Sequence, residues 1–272
     1  MKRALNALLI ALAFAVAGGL AGAQEKAPTP AAATPAAAMP AAQPVATPEA
    51  QRQRAEEALK ALPPELRTVM DKLDEANRKL EDVSADVTYE RAIPLLDEKQ
   101  VSHGTLVFKK PARIILKLGK PRNEAVYTNG KQWWVVSEDE KQVEIYEAAN
   151  AGHESQETAF LSFGYGSGTE KLLEEYTVEL VGKAPAESDA QEMVYRLKFT
   201  PRERPDRPVR YAAIEVEIAD KLWLPSVLVL HESGGEIVHT YRLSKVRTNT
   251  GVEDEAFNYE PPRGYTILRP QE

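Results

Sequence analysis

The 272-residue chain has no cysteine. That rules out a disulfide framework and leaves no lipobox cysteine to carry an acyl anchor. A basic surplus is missing too: 34 lysines and arginines stand against 41 aspartates and glutamates, for a net charge of −7. Such a balance argues against nucleic acid as a partner and against electrostatic docking on anionic lipid. Beyond residue 20 no stretch is apolar enough to span a membrane. Catalytic and metal-binding sets are also lacking. His153–Glu154 begins a zinc-protease pattern, but Glu157 stands where the second histidine belongs. His231 and His239 flank the Gly234–Gly235 turn and can face each other, yet no carboxylate or cysteine joins them at ligand spacing. "FGYGSGTEK" at 163–171 matches neither nucleotide-binding glycine motif, and it follows a helical stretch, so it reads as a hinge. The acidic run Glu138, Asp139 and Glu140 reads as a solvated turn. No enzyme, cofactor or metal is expected.

What is present begins with an export signal. Lys2 and Arg3 precede an apolar run from Ala4 to Leu20, and "AGA" at 21–23 ends it with small residues. This is the order of a cleavable secretory signal peptide, which places the protein in the periplasm after cleavage behind Ala23. Residues 24–48, "QEKAPTPAAATPAAAMPAAQPVATP", are too poor in bulky apolar groups to form a core and read as an extended tether. A folded domain then occupies 49–272.

That domain opens with helical spacing. Ala55, Ala58, Leu59 and Leu62 form one stripe, Pro63–Pro64 interrupts it, and Leu66, Val69, Met70, Leu73 and Leu80 resume it. From residue 84 the period changes to two. About eleven strands follow one another with tight turns, Asn129–Gly130 and Gly234–Gly235 among them, which implies an antiparallel sheet. Residues 154–176 read as two short helices around the glycine hinge. The expected fold is α+β, mainly antiparallel β. Its sheet is a half-barrel that curls without closing, with helices covering its concave apolar face.

"GTLVFKKPARIILKLGKP" at 104–121 defines that face most clearly. Two strands meet at Pro111. Leu106 and Phe108 share one side of the first, and Ile114, Leu116 and Leu118 share one side of the second, while Arg113, Ile115 and Lys117 point the other way. Trp133–Trp134 sends one indole to each side of its strand, one into the core and the other toward a groove.

In order and spacing these pieces resemble the LolA family of periplasmic lipoprotein carriers. The similar stretches are the strand–basic–Pro–strand corner just quoted, the hairpin "YTNGKQWWVV", and the ending "LPSVLVLHESGGEIVHTYRLSKVRTNTGVEDEAFNYEPPRGYTIL". The resemblance covers roughly 65–272. It implies an apolar cavity lined by Leu106, Phe108, Ile114, Leu116, Leu118 and Trp134, under a lid bearing Phe160, Leu161 and Phe163. It also implies partners: acylated lipoproteins or other lipids, an inner-membrane lipoprotein-releasing ABC transporter, and an outer-membrane acceptor, with the carrier a monomer. Lys110 stands where the family often has an arginine that latches the lid. A lysine offers one compact charge there instead of a planar fork of donors. Two other uses of a half-barrel are a lipid-sensing regulator and a structural interaction module.

Ala21 and Ala23 hold the small-residue positions of the cleavage site. N-terminal sequencing of exported protein is therefore expected to start at Gln24. Recovery of intact Met1 would reject the signal.

Overall fold

In the computed structural model, residues 48–147, 165, 168–186, 190–202 and 209–270 are described. They belong to one compact unit, Ala46–Glu272. Helix α1 (Pro48–Ala61) begins one residue inside the stretch read as a spacer. Pro63 and Pro64 end that run and start α2 (Pro64–Lys79), where Pro64 sits in the first turn and needs no amide hydrogen. Leu66, Val69, Met70 and Leu73 recur at three- and four-residue steps and are all buried, so one stripe of α2 faces the core.

Twelve strands follow: β1 (Asp82–Ile93), β2 (Glu98–Lys109), β3 (Arg113–Leu118), β4 (Glu124–Thr128), β5 (Gln132–Ser137), β6 (Gln142–Glu147), β7 (Tyr176–Pro185), β8 (Met193–Pro201), β9 (Tyr211–Ala219), β10 (Leu224–Glu232), β11 (Val238–Thr248) and β12 (Thr266–Leu268). A short helix, α3 (Thr169–Glu175), precedes β7. All strands join one sheet in the order β12-β6-β5-β4-β3-β2-β1-β11-β10-β9-β8-β7. The sheet does not close: β7 and β12 are its two edges. Every neighbour pair is antiparallel except β12–β6, which runs parallel, so the sheet is mainly antiparallel as expected. The parallel pair follows from the path of the chain after β11. It crosses the outer face of β3–β6 before adding β12 at the edge, and Tyr259 stacks on Tyr127 with ring centroids 4.4 Å apart along the way.

The expected turns form, with one adjustment. Thr128 pairs with Trp133, so four residues make the β4–β5 turn. The Asn129 side chain braces it, accepting from the amides of Lys131 (2.9 Å) and Gln132 (3.0 Å). The two histidines do not face each other. His231 lies opposite Val238 and His239 opposite Leu230, and this one-residue offset sends them to opposite faces. His231 Nε2 is 3.3 Å from Glu215 Oε1, whereas His239 is buried with its Nδ1 2.8 Å from the Tyr89 hydroxyl.

One glycine is demanded by space. Gly104 pairs with Leu118 across β2–β3, and a Cβ built there would lie 1.8 Å from the Lys117 carbonyl oxygen. Only a bare Cα lets the two strands approach this closely. Gly104→Ala is expected to cost about 2–3 kcal/mol by forcing the strands apart. A thermal melt checks this. It should show Tm lowered by roughly 5–10 °C, and an unchanged Tm would mean the strands separate freely.

Candidate apolar-ligand site

The inner face of the sheet is built by register. Across β1, β2 and β3, Val83 lies opposite Phe108 and Phe108 opposite Ile114; Ala85 opposite Leu106 and Leu106 opposite Leu116; Gly104 opposite Leu118. On the other side of β1, Leu228, Leu230, Val216, Ile214, Leu197 and Phe199 continue the same face through β10, β9 and β8. These side chains form one continuous cluster with the apolar stripe of α2 and with Leu172 and Leu173 of α3. Leu106, Phe108, Ile114, Leu116 and Leu118 are thus brought together as the period-two pattern implied. Each is at most 6 % exposed, packed in one cluster with α2, α3 and Tyr165.

Trp134 does not join them. It lies opposite Tyr127 and Ile145, and with Ala125, Val136 and Val143 it makes a second cluster on the outer face, under Tyr259 and Tyr265. The inner indole is Trp133, which packs against the main cluster. The five-residue connection 119–123 between β3 and β4 sets this parity, through the Leu118–Glu124 pairing. Phe160, Leu161 and Phe163 lie outside the described residues.

Lys110 is half-buried and donates from Nζ to the Asn77 carbonyl oxygen, in the last turn of α2. It therefore ties down the helix that covers the inner face. Burial pulls its ammonium below the ordinary lysine pKa. Further polar links hold the cover at its ends. The Asn249 side chain accepts from the Glu81 amide (2.8 Å) and donates to the Lys79 carbonyl (3.0 Å), fastening the α2–β1 junction. The Asp74 carboxylate accepts the Thr169 amide at 3.0 Å, joining α2 to the start of α3.

Two groups escape a reading of sequence patterns. Tyr165, inside the glycine-rich hinge, is 1 % exposed. Its ring lies 5.9 Å from that of Phe108, and its hydroxyl donates to the Pro225 carbonyl at 2.7 Å. Burial pushes its phenol far above the ordinary value, so it stays neutral and donates. An aromatic flanked by glycines was the available signal. Asp82 is the other. Its buried carboxylate accepts from the Thr250 amide and hydroxyl (both 2.8 Å), the Gly251 amide (2.9 Å) and the Val252 amide (3.4 Å). Burial alone would raise its pKa, but these four donors together outweigh it and leave the value lowered. Nothing local announces a partner 168 residues away.

The described residues thus form an unclosed, mainly antiparallel sheet whose continuous apolar inner face packs against helices. Residues 92–260 match the model of the family described as outer membrane lipoprotein carrier protein LolA, which is more than half of the chain. The chain belongs to the LolA family. Solved structures with a similar chain course include a conserved protein of Thermus thermophilus (12 % identity, TM-score 0.48, 76 % of this chain and 99 % of that one). A LolA superfamily protein of Nitrosomonas europaea (14 %, 0.36, 71 % and 97 %) and the Mycobacterium tuberculosis lipoprotein LppX (13 %, 0.40, 71 % and 99 %) are others. Family membership rests on the family-model match. The comparison with curated proteins gives no match.

The Asp82 nest carries a pH signature. A folded-state pKa below the unfolded value of about 3.9 stabilises the fold fully above that value, and the contribution is lost as pH falls through the depressed folded value. Asp82→Asn is expected to lower Tm by several degrees at pH 7 and to flatten the decline below about pH 4. Superimposable pH–Tm curves for variant and wild type would exclude the role.

Proposed function

We propose that this protein is a periplasmic carrier that holds the acyl chains of lipoproteins against its concave face and passes them from the inner toward the outer membrane. In this reading residues 1–23 are the export signal, 24–48 a tether, and 49–272 the carrier domain, working as a monomer. A lipoprotein-releasing ABC transporter of the inner membrane supplies the cargo and an outer-membrane acceptor removes it. The chemistry is binding and release, with no catalytic group or cofactor.

The physical need is simple. A chain of ~15 carbons leaving a bilayer loses about 0.8 kcal/mol per CH₂, or ~12 kcal/mol in all. A carrier must return a comparable apolar surface and still let go. The observation that carries the proposal is the grading of the inner face. Its β1–β3 part is fully buried, while Val126, Trp133 and Val135 on β4 and β5 remain half-buried on the same side. Cargo enters at that half-covered flank, and the cover shifts to extend the groove toward Leu116 and Phe108.

The test follows from this grading. Leu116→Asp sits in packed core and is expected to unfold the domain, so it does not separate binding from stability. Val126→Asp and Val135→Asp, at half-buried positions, are expected to keep native circular dichroism and weaken binding of a fluorescent fatty acid at least tenfold. Thr105→Asp, exposed on the outer face opposite Lys117, should bind like wild type. Native mass spectrometry of protein purified from membranes should show acylated cargo. Undiminished probe binding by both folded variants would remove the assignment.

A further inference from the structure

The β1–β2 hairpin carries apolar surface that the half-barrel does not use. Gly104 is the first β2 residue matched by β3, yet β1 and β2 stay paired with each other well beyond it. Arg91 lies opposite Gln100, Ala92 opposite Lys99 and Ile93 opposite Glu98. Pro94–Leu96 closes the end as one turn of 3-10 helix, and Asp97 takes a left-handed conformation (φ 50°) to reverse the chain. At this apex Leu95 is 82 % and Leu96 69 % exposed, the highest values of any large apolar side chain among the described residues. Val101, on the same hairpin, is exposed as well.

We propose that this tip is a membrane-contact element whose leucines insert into the interfacial layer of a zwitterionic bilayer. Three features select that occupant. The apex is convex and narrow, and two leucines with a valine fall far short of the ~800 Å² per partner that a stable protein interface buries. A bilayer needs no matching shape and accepts single side chains between its headgroups. The flanking charges are of both signs: Glu90, Arg91, Asp97, Glu98 and Lys99, with Lys99 Nζ 3.2 Å from Glu90 Oε1. Such a rim neither seeks nor repels anionic lipid strongly, so apolar insertion supplies the attraction. The proposal concerns where the molecule touches a bilayer, not what its inner face holds, and it stands or falls apart from the carrier reading.

Because the chain has no cysteine, Leu95→Cys gives a unique attachment point for an environment-sensitive dye. With phosphatidylcholine vesicles the dye at 95 should brighten and shift to the blue. A dye at Glu179→Cys, exposed on the edge strand β7, should not change. In flotation assays the double variant Leu95→Asp/Leu96→Asp should lose vesicle binding by about tenfold or more, with Tm unaltered because neither leucine is packed. Added anionic lipid or salt should leave wild-type binding much as it was. The proposal is overturned by a silent dye at 95 or an equal response at 179. It is equally overturned by binding that requires anionic lipid, by a double variant that floats like wild type, or by a dye response that follows protein concentration without vesicles, which would mark a second copy as the occupant.

Discussion

A sheet that curls without closing satisfies its backbone hydrogen bonds strand by strand, but it cannot hide its own inner face. In this protein that face runs unbroken from Leu118 on β3 to Phe199 on β8, and leaving it in water would oppose folding. The hydrophobic effect therefore calls for a cover, and α2, α3 and Tyr165 supply it through side-chain packing. No strand pairing joins cover to sheet. Among the described residues the direct polar links are Lys110 to the end of α2, Asn249 across the α2–β1 junction, Tyr165 to β10, Lys183 of β7 to Glu65 of α2, and Arg202 to the Leu173 and Glu175 carbonyls of α3. The packing of the cover is thus distinct from the ladder of backbone hydrogen bonds that holds the sheet itself together.

Much of this was legible from periodicity. The switch from 3.6 to 2 read at residue 84 falls two residues inside β1, and the alternation in "TLVF" and "RIILKL" places Leu106, Phe108, Ile114, Leu116 and Leu118 on one face. Alternation states that two faces differ, and hydrophobicity names the inner one only where the other face is polar. At Trp133–Trp134 both faces are apolar, because the chain after β11 buries the outer side of β4–β6. The indoles could be sorted only by knowing the Leu118–Glu124 pairing across a five-residue connection. The facing of His231 and His239 failed for the same reason, a one-residue offset that turn residues do not announce.

What sequence patterns could not supply is contact over long separations. Asp82 and Asn249 each look like ordinary polar residues at the ends of strands. Together they knit the segment 249–252 to the start of β1. Tyr165 reads as part of a hinge, and its burial depends on Phe108 and Pro225, which lie on strands on opposite sides of the sheet's centre. The tie made by Lys110 also needed the fold, since the pairing of Asp82 with Lys109 and the Lys110 amide bond to the Glu81 carbonyl bring it beside the end of α2.

The sheet order has a consequence for how the chain folds. It consists of two meanders, β1–β6 and β7–β11, each made of sequential neighbours, joined at the centre by β1 lying against β11. Each meander can form from local hairpins, but the central seam unites residues such as Val83 and Thr248 from opposite ends of the domain. High sequence separation makes that closure the slow event. Until β11 pairs with it, β1 is an edge strand with a free row of backbone N–H and C=O groups. An edge of that kind invites pairing with other chains. The molecule's most vulnerable moment is thus set by topology: it lasts from the appearance of β1 until β11 arrives to close the middle of the sheet.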